Sequence, residues 1–469
     1  MMHVWIDPGH DTESAALLEA ALAPLRVHAP STCAQLLECL NTSSGTSIAD
    51  LQAITATAMD GGETMASDVL LSLLQSLGAI GSLRFGSADR AEAVLTLWSM
   101  QPDLLPTMDL TIEETLTYRL SRFATLRREG SRLIIERPLS GYRAAIRTDT
   151  VTGAKLIALF TEGTTVAGLA QGRIPTAQRA PICAMLAQAG IIAPQDENGL
   201  LPEDKDDTLR QWQPQDLAFH AHSRMGFAND PIGATFSFKD EIYAQPALHP
   251  EPDNLGRVPL LAPELSMLAA TDISLTQAVE RRSSRRPQLR RALTLAELGI
   301  FLFRTARIRS HFETDIGSFT SRPYPSGGGA YESEIYITAQ NIAGLRPGFY
   351  YYAAATHELL LLREWDDDCA SLAQDALTAM AMTSAPDAVL TFGSRFQRMQ
   401  WKYAGMAYAT QLKTTGAAYM AFYLAATAMG LSPCGLGLGN AATFARLTGQ
   451  DPHFEGSIGE FALSGPGDA

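Results

Sequence analysis

Arg281-Arg282-Ser283-Ser284-Arg285 gathers three guanidinium groups and two hydroxyls within five residues. Guanidinium forks pair bidentately with phosphate oxygens, so this run can converge on a phosphate monoester. The plain alternative is a basic helix C-terminus facing solvent, favoured there by the macrodipole. Pro325-Ser326-Gly327-Gly328-Gly329 follows Arg322-Pro323-Tyr324. Its glycines permit close backbone approach to a flat ligand and its prolines stiffen the entry; the alternative is an ordinary surface loop. Lys402-Tyr403 places an amine beside a phenol. The lysine charge can draw the phenol down from its usual pKa of about 10, or the lysine can itself act as a base once desolvated. A solvated lysine beside a packed tyrosine is the competing description.

Cys434-Gly435-Leu436-Gly437-Leu438-Gly439-Asn440 has the look of a dinucleotide fingerprint. That fingerprint leaves a strand and opens a helix, whereas this run follows a helical stretch ending near Gly430, so a nicotinamide site of that type is excluded. A loop whose backbone amides face the edge of a flat cofactor stays open. His220-Ala221-His222 has no third ligand near it, and His357-Glu358 lacks the second histidine of a zinc-protease helix. No metal site is expected.

The elements that must position these groups fall into an α+β pattern. Helices are expected at Leu275–Arg282, Leu295–Thr305, Ala370–Thr383 and Trp401–Met429, with strands at Glu334–Thr338, Gly348–Tyr352, Leu359–Arg363 and Ala388–Gly393. Upstream, strands at Tyr118–Arg127, Arg132–Glu136 and Tyr142–Ile146 precede helices at Thr150–Phe160, Thr165–Ala170 and Arg179–Ala189, a winged-helix-like order. The first hundred residues read as a helix-rich module, with Val4–Ile6 and Ser82–Phe85 strand-like, Glu13–Leu25 helical, and Ser67–Leu77 helical up to a cap at Gly78. Asp196–Asp207 holds six acids and reads as an exposed linker. The expected division is 1–108, 109–195, a linker at 196–215, and 216–469.

Composition narrows the function classes. At 469 residues the chain exceeds one ordinary core. A formal charge of −14 argues against nucleic acid as a partner, because phosphate neutralisation needs surplus Lys and Arg. Five cysteines without a CxxC pair, and a polar Met1–His10, suit reduced thiols in a cytoplasm. Thr414–Leu431 carries no charge over 18 residues but is rich in Ala, Gly, Thr and Tyr. A buried or interface helix is therefore expected rather than a membrane span.

The order of the motifs resembles the nitroreductase superfamily, and more narrowly the SagB-type dehydrogenases of azole-modified peptide pathways. Arg281–Arg285 is followed by Leu295–Leu298, the Arg322–Tyr331 loop, Glu334-Ile335-Tyr336 and Lys402-Tyr403. The tail, Tyr423–Leu431, Pro433–Asn440 and Ser457–Phe461, is similar to the cyanobactin oxidases. Residues 110–195 resemble a RiPP recognition element, which grips leader peptides.

The resemblance implies FMN in a site built across a homodimer. Arg281, Arg282, Ser283 and Arg285 would take its phosphate; Pro325, Ser326 and Gly327 would line the flavin; Gly435, Leu436 and Gly437 would lie over its N5 side. Lys402 and Tyr403 would be the catalytic pair. Two departures point away from a generic reductase: Phe461–Ala469 lacks the basic residue that nitroreductases use for phosphate, and Gly replaces the loop's usual Asn. The implied activity is oxidation of a peptide-borne thiazoline or oxazoline to the azole. Two alternatives are a flavin reductase fed by NAD(P)H, acting on nitro compounds or dehydroamino acids, and a non-catalytic peptide-binding scaffold.

Overall fold

The computed structural model describes residues 2–6, 30–42, 45–58, 70, 73–75, 77, 83–101, 104, 111–130, 132–147, 151–227 and 230–467. The helix expected at Glu13–Leu25 and the cap at Gly78 lie outside the described residues. The chain divides into two compact units, Met1–Asp230 and Pro231–Ala469.

In the N-terminal unit, seven strands form one antiparallel sheet in the order Thr46–Ser47, His3–Ile6, Leu83–Gly86, Leu95–Ser99, Tyr142–Arg147, Arg132–Glu136, Thr125–Glu129. Helices Val151–Glu162 and Thr176–Gln188 cover one face, with Leu156, Phe160, Ile182 and Met185 packed against Leu95, Leu97, Ala144 and Ile146. No break in the sheet falls at 108/109. Leu95–Ser99 pairs with Tyr142–Arg147, which without it would be an exposed edge. Pairing satisfies the backbone of a strand whose first five residues are buried.

The acidic run behaves differently from the exposed linker expected of it. Glu203 is buried and accepts from Ser121 Oγ at 2.7 Å and from the Arg122 amide at 2.8 Å. Pro202–Lys205 and Pro214–His222 are helical, so His220 and His222 stand on one helix. A count of charges registers the run's average polarity and misses the one carboxylate in it that is buried.

The C-terminal unit is built on seven strands: β1 Gly256–Pro259, β2 Ser333–Ala339, β3 Gly348–Ala353, β4 Glu358–Glu364, β5 Ala388–Arg395, β6 Ser432–Leu436 and β7 Glu455–Ser464. They pair antiparallel throughout in the order β1-β4-β3-β2-β5-β7-β6. Its main helices are α1 Leu275–Arg281, α2 Leu295–Thr305, α3 Asp367–Met380, α4 Ala407–Ala428 and α5 Ala441–Thr448.

Side chains alternate between the two faces of a strand, and here both faces are covered. Ile335, Ile337, Tyr350, Tyr352, Leu390 and Phe392 pack toward Phe301 of α2 and Phe422 of α4. Tyr336, Phe349, Tyr351 and Leu360 pack toward Leu372 of α3 and Phe444 of α5. The 22-residue α4 needs small residues to sit on the sheet, and Ala418 and Ala426 are fully buried there. It ends in a left-handed Gly430 with the paired backbone bonds of a Schellman cap, Leu431 N to Ala426 O and Gly430 N to Thr427 O. Among the described residues, no helix is long and apolar enough to cross a membrane.

Candidate functional site

The glycine loop and the Lys-Tyr pair come together at the first half of α4. Lys402 and Tyr403 lie between the short helix Phe396–Gln400 and the start of α4, rather than inside one continuous helix. Lys402 Nζ donates to the Gly328 carbonyl at 3.1 Å. A Cβ on Gly328 would fall 2.2 Å from the Tyr403 hydroxyl and 2.5 Å from Lys402 Nζ, and its φ of +57° is left-handed. A Cβ on Gly327 would meet Thr410 at 2.1 Å. Both glycines are thus sterically required by the residues they face. The Gly327 amide donates to Thr414 Oγ1 at 3.3 Å, which joins the loop to α4.

Beneath the loop lies a dry ionic network. Ser326 Oγ donates to Glu332 at 2.9 Å and accepts from the Tyr331 amide at 3.0 Å. Arg322 and Arg395 both reach Glu334, at 3.3 and 3.2 Å, and all three side chains are 2% exposed or less. Burial works to raise the Glu334 carboxyl, but the two guanidiniums overcome it and hold the carboxyl below its ordinary range. Arg398 donates to the carbonyls of Ala330, Gln245 and Ser318. This network fixes the loop's position before any ligand arrives.

The electrostatics of the pair run opposite to a lysine-activated phenol. Burial pushes the Tyr403 hydroxyl up, with the Glu332 carboxyl adding to the effect. Burial also holds Lys402 below the ordinary lysine range, assisted by Arg398. Tyr403 is therefore kept protonated while Lys402 is moved toward the neutral amine.

The arginine run lies against the other half of α4. Arg285 N donates to the Pro433 carbonyl at 2.8 Å. Tyr423 links the two segments: its hydroxyl is 2.7 Å from Ser284 Oγ and accepts from the Gly435 amide at 2.7 Å, while the Arg282 guanidinium lies 5.3 Å from its ring centre. Arg281 and Ser283 are exposed or partly so, and Arg285 is half-buried. Gly435 and Leu436 end β6, and α5 begins at Ala441. The glycine run does leave a strand and enter a helix, contrary to the sequence expectation. The dinucleotide reading still fails, because β6 is the antiparallel edge of its sheet and not part of a parallel βαβ unit.

Alongside lies an open groove of about 410 Å³, lined by residues that include Tyr419, Leu436, Gly437, Gly439, Gly459 and Glu460. Gly437 is exposed, and a Cβ on it would meet nothing within 4 Å, so its backbone is open to a ligand. Glu460 points beneath Gly439, where a Cβ would fall 2.3 Å from its carboxylate. Burial pushes the Glu460 carboxyl up to about 7.

Comparison with known proteins finds matches for two stretches of the chain. Residues 278–459 match the nitroreductase family. The C-terminal unit carries a nitroreductase-family domain. Residues 118–229 match the family described as cyanobactin oxidase ThcOx, and 230–277 fall between the two matches. A protein of Methanocaldococcus jannaschii named as a nitroreductase is 28% identical over 175 residues, covering 37% of this chain and 83% of that protein. A Ralstonia eutropha structure described as a nitroreductase covers 49% of this chain and 100% of its own at 19% identity, with a TM-score of 0.36. An Escherichia coli microcin synthetase McbBCD complex with truncated pro-MccB17 bound covers 55% and 95% at 17% identity, with a TM-score of 0.32. These two structural likenesses fix nothing further about the chain.

The nitroreductase-family domain thus holds its expected site residues in two clusters along α4. Thr410 and Thr414 meet the glycine loop, whereas Tyr419 and Tyr423 meet the 433–437 and 459–460 segments. Thr414 and Tyr423 are nine positions apart, about 13 Å along a helix at 1.5 Å per residue. Sequence reasoning passed over Glu332 and Arg398, which carry no motif, and gave no role to Tyr423 and Glu460 within the tail segments; only burial and partners set these four apart.

Proposed function

We propose that this chain is an FMN-dependent dehydrogenase that oxidises thiazolines or oxazolines in peptides to the aromatic azoles. The observation that carries the reading is Lys402: an amine moved toward neutrality, held on the Gly328 carbonyl beside a phenol kept protonated. A generic flavin reductase has no need of a base at that place.

The residues present suit FMN. Arg281, Arg282, Ser283 and Arg285 form a donor set for its phosphate, and the open backbone at Gly437, just past Gly435 and Leu436, borders a groove large enough for a flat ring system. A carboxyl at the floor of that groove disfavours phosphate there and leaves the phosphate to the arginines. Pro325, Ser326 and Gly327 would line the flavin from the other cluster. Their separation along α4, together with exposed Tyr408, Leu412 and Met420 on that helix, supports a homodimer in which each copy completes the other's site.

When bound, FMN supplies a hydride acceptor. Lys402 removes the ring Cα proton, which is acidified by the adjacent C=N and carbonyl, and Tyr403 donates a hydrogen bond to orient the ring. The base and the donor stand on a pre-positioned loop, so little reorganisation is needed at reaction. The match of residues 118–229 to the cyanobactin oxidase family supports a peptide substrate, gripped through its leader by the N-terminal unit.

The test is mass spectrometry of an azoline-bearing peptide incubated with the FMN-loaded protein. A loss of two hydrogens per ring is expected, and Lys402→Ala should retain FMN yet lose turnover by about 10²–10⁴-fold. Oxidation surviving in that variant overturns the role of Lys402. Rapid NAD(P)H consumption without peptide oxidation would instead favour a reductase, the activity that the name of the M. jannaschii relative carries.

A further inference from the structure

Residues 233–249, which fall between the two family matches, are fastened along the segment that carries Lys402. Gly233 and Ala404 exchange backbone bonds at 3.2 and 3.0 Å, and Phe236 N donates to the Lys402 carbonyl at 3.2 Å. Trp401 Nε1 donates to the Ile242 carbonyl at 2.6 Å, and Arg398 Nη1 to Gln245 O at 2.6 Å. Arg395 donates to the carbonyls of Pro246 and Ala247, both at 2.9 Å. Side chains of the catalytic segment thus satisfy backbone groups of the strap, so the strap holds a fixed place beside Lys402.

The strap's main product is the position of Phe236. Its φ is +50°, a left-handed conformation that bulky residues rarely adopt and that costs on the order of 1–3 kcal/mol. The bond to Lys402 and the T-shaped contact with Trp401, 5.6 Å between ring centres, hold it there. Across from it, Phe319 extends from the hairpin Ser310–Thr314/Gly317–Ser321. Lys402 Nζ lies 5.9 Å from the centre of the Phe236 ring and 5.7 Å from that of Phe319. The cleft they border opens to solvent and is also lined by Ile316, Ala330 and Trp401. Among the described residues no carboxylate lines it, and its one guanidinium, Arg398, is committed to three carbonyls.

We infer that Phe236 and Phe319 form the slot that receives the substrate's flat, uncharged five-membered ring against Lys402, making the strap a determinant of specificity. Two aromatic faces flanking an amine reward planarity, since ring faces stack best on flat partners. The apolar walls leave a charged ring without a counter-ion. A strained bulky residue is retained where its side chain must stand at one place, and Phe236 stands beside the base. This inference rests on the proposed azoline oxidation for the identity of the ring, but not for the existence of the slot.

The experiment titrates the full-length protein without FMN by tryptophan fluorescence, using a blocked thiazole amino-acid amide and, as the non-planar control, a blocked proline amide. Thiazole binding at least fivefold tighter than proline is expected. Phe236→Leu and Phe319→Leu, on separate elements, should each lose at least fivefold for the thiazole and less than twofold for the proline. With the FMN-loaded enzyme, the same variants should raise KM about tenfold while kcat stays within threefold. Thiazole affinity unchanged in both variants overturns the slot. If the variants weaken thiazole binding while the wild type oxidises no azoline peptide, the slot stands and the proposed reaction falls. If both variants oxidise azolines with unaltered KM, the reaction stands and the slot falls.

Discussion

The two clusters along α4 are built on different principles. The glycine loop with Lys402 and Tyr403 rests on buried ion pairs, on two glycines that admit no Cβ, and on a main-chain strap. The arginine run rests on one tyrosine, one backbone bond and exposed side chains. Chemistry that moves a proton needs its groups fixed in advance, because misplacement costs rate directly. A phosphate brings its own charge and can draw exposed guanidiniums into place on binding. Under the proposed reaction, rigidity is concentrated where a proton would move, and freedom remains where a charged group would be captured.

Four perturbations test that contrast, the largest first. Glu334→Ala leaves Arg322 and Arg395 buried without their carboxylate. Removing one partner from a buried ion-paired network costs about 3–5 kcal/mol, to be read from urea unfolding. The pH dependence follows from the same group. Its depressed pKa contributes stability that is present above the unfolded carboxylate value of about 4.3 and is lost as pH falls through the folded value. Acid unfolding should therefore occur at higher pH in Glu334→Gln than in the wild type.

Glu460 has the opposite sign. Its folded pKa of about 7 lies above the unfolded value, so its favourable contribution is present at low pH and is lost as pH rises toward 7. Glu460→Gln should stabilise the protein at pH 8, by at most about 3.4 kcal/mol at about 1.36 kcal/mol per tenfold change in protonation equilibrium. It should do little at pH 4. Equal thermal shifts at both pH values would show that the carboxyl is not the titrating group.

Gly328→Ala adds a methyl into the space of the Tyr403 hydroxyl and Lys402 Nζ at a left-handed position. A destabilisation of about 1–3 kcal/mol is expected, with turnover reduced far more than FMN affinity. Tyr423→Phe removes one hydroxyl shared between Ser284 and the Gly435 amide. At about 1 kcal/mol for a hydrogen bond, FMN affinity measured by flavin fluorescence should fall roughly five- to tenfold, with kcat near the wild-type value. If Gly328→Ala weakened FMN binding while Tyr423→Phe slowed turnover, the division of labour between the clusters would be reversed.

Much of the C-terminal unit was legible in its residues. The expected strands at Glu334–Thr338, Gly348–Tyr352, Leu359–Arg363 and Ala388–Gly393 each lie within an observed strand, and α2 has the predicted limits. Short apolar runs between turn residues and a capping box, Thr294 with Glu297, are local signals. The break after Gln400 was missed although Gly405, left-handed at φ +65°, marks it; the bonds that divert Lys402 and Tyr403 come from Gly328 and Gly233–Phe236, distant in sequence. The N-terminal unit was less legible, since one strand of its sheet is shared across an expected boundary.

The sequence by itself determined which groups are available: an arginine-serine run, a glycine loop, a lysine beside a tyrosine and the strands that carry them. Such features depend on residue type and short spacing, which the chain states directly. Tertiary structure alone decided the direction in which each member of the pair is shifted. A pKa responds to burial and to charges brought near by folding, and here burial raises Tyr403 and lowers Lys402. It also decided that Phe236, which no motif marks, stands with Phe319 beside Lys402. Their sequence separation of 83 positions is closed only by the packed chain.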